Sequence, residues 1–135
     1  MPVFFISFRL VACHCFRIFV RKYIASVMDM NEYQQQAMAT AVYPRDMRIV
    51  YPALGLAGET GEVAEKVKKE IRDRAGAFGE ATRAQIALEL GDVMWYVAAM
   101  ARDMGLTLED IARMNLEKIR SRQERDMIHG QGDNR

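Results

Sequence analysis

Two pairs of carboxylates spaced three residues apart, Glu59 with Glu62 and Glu89 with Asp92, are the groups in this sequence best suited to chemistry. On a helix, residues at that spacing are neighbours on one face. Glu89 and Asp92 are the charges in residues 86–101, IALELGDVMWYVAAMA, a run apolar almost all round that reads as a buried helix. Carboxylates buried side by side repel, and each resists ionisation without a compensating cation. A basic side chain, a shared proton or a metal ion must neutralise them.

Four carboxylates from two helices make an all-oxygen site suited to magnesium, with manganese able to stand in. A di-iron bundle would need a Glu-x-x-His on each of two helices, and the histidines, His14 and His129, are not so placed. Ion pairing on a solvated face accounts for Glu65 with Lys69 and offers Lys66 as a partner for Glu62, both at the i,i+4 spacing. It does not account for Glu89 and Asp92, whose own helix has no cation near them.

The elements that must hold these groups read as helices joined by short breaks. Asn31 caps a first helix through Tyr33, Met38, Ala39 and Ala41, ended by Pro44. Tyr51-Pro52 opens a second, running to about residue 74, with Leu56, Val63, Val67 and Ile71 as its apolar stripe. Gly55, Gly58 and Gly61 recur within it. Glycine inside a helix costs about 1 kcal/mol relative to alanine, so these mark either a close approach by another helix or by a ligand, or a loop before a later helix start. Gly76 and Gly79 break the chain before a third helix over 80–104, Gly105 ends that one, and Thr107 caps a fourth reaching about residue 122. The expectation is an all-α fold, a four-helix bundle.

Length and charge agree with one modest domain. The chain has 135 residues, half of them hydrophobic, and a net charge of +1, which gives no general pull toward nucleic acid or anionic membrane. The sum conceals an asymmetry: Arg9, Arg17, Arg21 and Lys22 precede the first acid, Asp29. That leaves fifteen of the 19 basic residues against all 18 acids, about −3 over residues 29–135. Residues 1–27 read as a poorly conserved or spurious extension, and residues 28–135 as the functional domain, starting near Met28 or Met30. Arg9 and Arg17 break the extension's apolar run well short of a membrane span. Cys13 and Cys15, the two cysteines, are one residue apart and poorly placed to bridge each other, and with His14 they make a poor zinc site. A reducing cytoplasm is the expected compartment.

The stretches LGLAGETGEVAEKVKKEIRD and ALELGDVMWYVAAMARDMGLTLEDIARMNLEKI, with a Gly-Asp-Asn-Arg ending, resemble the MazG-like nucleoside triphosphate pyrophosphohydrolases. That family carries a Glu-x-x-Glu pair on one helix and a Glu-x-x-Asp pair on the next, matched here by Glu59-Thr60-Gly61-Glu62 and Glu89-Leu90-Gly91-Asp92. The resemblance covers about residues 30–135. Many members have a further glutamate just before the first pair, where this chain has Gly58, the shorter form of the motif.

The resemblance implies Mg²⁺ held by Glu59, Glu62, Glu89 and Asp92, and hydrolysis of (deoxy)nucleoside triphosphates to the monophosphate and pyrophosphate. A metal-activated water would attack the α-phosphorus, with positioning and electrostatics carrying the rate. Substrate contacts are expected from Tyr96, one turn beyond Asp92, and from Asn115, Lys118 and Arg122 on the fourth helix. Trp95 is expected to point into the core, and the tail 130–135 to fold over bound nucleotide. Neither nucleic acid nor membrane is an expected partner, whereas self-association into a homodimer or homotetramer is. The competing reading is a non-catalytic helical module that binds nucleotides or another protein.

Overall fold

The computed structural model describes residues 28–125; the leading segment 1–27 and the tail 130–135, with the expectations attached to them, lie outside the described residues. Within them are four α-helices and no strand: α1 (Met30–Met38), α2 (Val50–Arg74), α3 (Glu80–Asp103) and α4 (Leu108–Glu124). A single 3-10 turn, Arg45–Met47, lies between α1 and α2. The domain is all-helical, as its sequence implied.

Local chemistry sets most of the boundaries. Thr107 accepts from the Asp110 amide while the Asp110 carboxylate takes the Thr107 amide, a reciprocal capping box that starts α4. Gly105 ends α3 at φ +75°, where a side chain would be strained. The N-cap of α1 is Asp29, whose side chain accepts from the Glu32 amide at 2.7 Å, and not Asn31. Asn31 instead serves α4: its Oδ1 accepts from the Glu109 amide at 3.2 Å. Three residues on, buried Gln34 accepts from the Leu108 amide at 3.1 Å and donates to the carbonyls of Ala98 and Leu106. Two of the four amides that a helix start leaves unpaired are thus satisfied by α1.

The helices α2 and α3 form the principal packed pair. Their contacts run in opposite order, Gly55 meeting Tyr96, Lys66 meeting Glu89 and Glu70 meeting Thr82, so the two are antiparallel. The best-buried apolar cluster, Ala98, Ala101 and Leu108, lies at the far end of α3, with Tyr33, Met38, Val97 and Ile111 packed on it. The expectation that the whole of 86–101 is buried holds only for that end. Leu88 is 71% exposed, and Leu90 and Met94 are also open to solvent. Ile71, the last member of the α2 stripe, is exposed too.

Candidate metal centre

Gly55, Gly58 and Gly61 all lie inside α2, which removes the loop reading. Only Gly55 has a close neighbour: a Cβ there would fall 2.1 Å from the Tyr96 ring. Around Gly58 and Gly61 there is open space. The contact at Gly55 brings the two helices together one turn before Glu59 and one turn after Asp92.

That approach places carboxylates from both helices in one cluster. Single carboxylate oxygens of Glu59, Glu89 and Asp92 all lie within 4.8 Å of one another. Partial burial and the neighbouring charges of Glu62, Asp92 and Glu89 push the Glu59 carboxyl above its ordinary range. Glu62 is exposed and stands outside the close triad, although its charge is felt at Glu59. The donors are hard oxygens from opposed helices under mutual repulsion, which fits a hard divalent cation.

One cation already touches the cluster, and it comes from the opposite helix. Lys66 Nζ lies 3.0 Å from Glu89 Oε1, with the Glu89 side chain only 15% exposed. The expected Lys66 pairing with Glu62 is replaced by this cross-helix pair. Glu65 does pair along its own helix, with Lys69 at 3.2 Å and with Lys68, and both hydrogen bonds hold its carboxyl below the usual range.

Beside the acids is a pocket of about 250 Å³ lined by Glu59, Asp92, Trp95 and Tyr96. Tyr96 is therefore where its spacing placed it. Trp95 is not in the core; it walls the same pocket, its Nε1 donating to Ala37 O at 3.1 Å and Thr40 Oγ1 at 2.9 Å. An i,i+3 step from Asp92 is the signal that could have found it. The rings of Trp95 and Tyr96 meet edge to face with centroids 5.0 Å apart. Tyr51 lies 6.5 Å from Tyr96 and stacks on Tyr43 at 5.1 Å. Burial first, then Tyr51 and the acids Glu59 and Asp92, raise the Tyr96 hydroxyl above its ordinary value.

A second polar group fixes the start of α2. Ile49, just before the helix, has φ +64°, and its amide donates to Asp103 Oδ2 at 3.2 Å. The same oxygen accepts from the Tyr43 hydroxyl at 2.7 Å. Asn115, Lys118 and Arg122 are all on α4, which packs against α1 and α3. None of the three lines the acid pocket.

A family model described as the MazG nucleotide pyrophosphohydrolase domain matches residues 52–126. The chain is also 42% identical over 114 residues to the Gene 37 protein of Mycobacterium phage L5, an alignment covering 80% of this chain and 100% of that relative. No solved structure gives a significant match. The acid cluster and both pocket aromatics fall within the matched residues.

Proposed function

The chain belongs to the MazG nucleotide pyrophosphohydrolase family, and on that premise we propose that it hydrolyses nucleoside triphosphates to the monophosphate and pyrophosphate with Mg²⁺. The observation that carries the reading is the convergence of Glu59, Glu89 and Asp92 within 4.8 Å beside an aromatic pocket. Glu62 completes the set of acids that would hold the cation. Bound there, Mg²⁺, or Mn²⁺ in its place, would supply positive charge against the triphosphate and lower the pKa of a water.

The chain's own groups divide the remaining work. Carboxylate oxygens of the cluster orient water toward the α-phosphorus and accept its proton. The rings of Tyr96 and Trp95 flank the nucleoside and keep bulk water from that side of the pocket. Asn115, Lys118 and Arg122 are proposed as further substrate contacts. Because α4 does not line this pocket, they would reach it through rearrangement or from a second copy.

Self-association belongs to the same reading. Leu54 on α2, Leu88 and Met94 on α3, and Met114 and Leu116 on α4 are exposed apolar side chains that a second copy would cover, giving a homodimer or homotetramer. No described helix is long and apolar enough to cross a membrane, and a cytoplasmic setting, where triphosphates are made and used, suits the activity.

The deciding experiment measures pyrophosphate release from a panel of canonical and modified triphosphates, with and without Mg²⁺. Metal-dependent release from one or more is the expected result. No turnover on any, from well-folded protein, would favour the non-catalytic module.

A further inference from the structure

Lys66 stands between two carboxylates in different circumstances. On one side its Nζ is 3.0 Å from Glu89 Oε1 in the acid cluster. On the other, one turn further along α2, is Glu70, only 5% exposed. Glu70 Oε2 accepts from Arg74 Nη1 at 3.2 Å and Thr82 Oγ1 at 3.0 Å. Its second oxygen, Oε1, is buried and has no hydrogen-bond partner among the described residues. Lys66 and Glu70 are i,i+4 neighbours and line one cavity of about 290 Å³, walled on the other side by Thr82 and Gln85 of α3. The Lys66 side chain is 30% exposed, twice the exposure of the Glu89 side chain it meets.

We propose that Lys66 is a counter-cation with two positions: it neutralises Glu89 in the metal-free protein and turns to Glu70 Oε1 when a divalent cation occupies the cluster. The inference rests on the metal-centre reading given above. In the metal-free protein, three clustered carboxylates repel, and Lys66 is the cation in ion-pair contact with them among the described residues. A divalent charge on Glu89 repels an ammonium group at the same carboxylate. A buried carboxylate oxygen without a donor costs free energy until it acquires one. One side-chain rotation relieves both penalties. Lys66 thereby sets the metal affinity as a competitor, and Glu70 opposes that competition by receiving it.

The test is Mn²⁺ binding by titration calorimetry to the wild type, Asp92→Asn, Lys66→Met, Glu70→Gln and the Lys66→Met/Glu70→Gln double variant, with thermal melts in chelator. Asp92→Asn should abolish binding, which checks the centre itself. Lys66→Met should bind Mn²⁺ about threefold or more tighter, at least the effect of losing an exposed ion pair, and melt earlier in chelator. Glu70→Gln should bind about threefold weaker, and that penalty should vanish in the double variant, since it acts through Lys66. Equal or weaker binding by Lys66→Met, or an undiminished Glu70→Gln penalty in the double variant, overturns the proposal while leaving the centre standing. Binding that survives Asp92→Asn overturns both. If Glu70→Gln does not fold, the comparison of Lys66→Met with the wild type decides alone.

Discussion

Tyr96 lies so close to Gly55 that a Cβ added to the glycine would be 2.1 Å from the ring. The ring cannot yield like the end of a flexible chain, because Trp95 and Tyr51 stand around it. Gly55→Ala should therefore destabilise the fold by about 1–3 kcal/mol, an overpacking effect larger than the gain in helix propensity. Gly58→Ala and Gly61→Ala, in open space, should each stabilise by about 0.5–1 kcal/mol. Urea unfolding of the three variants checks this. Destabilisation at Gly58 or Gly61 would show that a second chain packs there.

Asp92→Asn and Glu59→Gln should lower metal-dependent pyrophosphate release by about 100-fold or more, the scale of losing a group that organises transition-state charge. In chelator the same variants should melt no earlier than the wild type, because a like charge has left the cluster. Full activity in either would mean the metal site lies elsewhere.

Asp103 gives a pH-dependent prediction. Burial alone would raise its carboxyl, but hydrogen bonds from the Tyr43 hydroxyl and Ile49 amide, with the Arg102 and Arg48 charges, hold it below the ordinary range. A carboxyl depressed in the folded state stabilises above its unfolded value, and the contribution is lost as pH falls through the folded one. Asp103→Asn should therefore cost about 1.5–3 kcal/mol at neutral pH, as for hydrogen bonds to a buried charge. The gap to wild type should close below about pH 4. Denaturant melts of both proteins across that range measure it.

Tyr96→Leu should raise KM for triphosphates severalfold while leaving Mn²⁺ binding close to wild type, since the ring meets nucleoside and not metal. Weakened metal binding would instead make the ring a support for Glu59 and Asp92.

Leu88, 71% exposed on α3, supplies the test of self-association. Leu88→Glu should shift the light-scattering mass toward the monomer. An unchanged assembly would place the subunit contact on another face.

What the sequence made legible was mostly local. Thr107, Gly105 and the Pro52 start could be read because caps and breaks are decided within a few residues. The pairing of Glu89 with Asp92 followed from helical periodicity. The Lys66–Glu89 contact was not legible, because it depends on the register between α2 and α3, and the nearer partner Glu62 satisfied the same spacing rule. Asn31 failed for a related reason: a good capping residue bonded a different helix, and Asp29 took its place. Size and apolarity favour the core for Trp95, whereas its indole N–H finds partners at the end of α1. Apolarity along 86–101 implied burial, yet in one chain the acid end of α3 has too little covering it.

The capping of α4 by Asn31 and Gln34 has a consequence for how the molecule opens. The start of α4, the Ala98 carbonyl of α3, the Leu106 carbonyl in the connection after it and the nine-residue α1 share hydrogen bonds through one glutamine side chain. They should release their amide protons to solvent together, as one cooperative exchange unit. The acid end of α2 and α3 forms a separate unit, so metal should slow exchange there first. A cut through α1 would unlatch α4 while leaving the carboxylates facing one another.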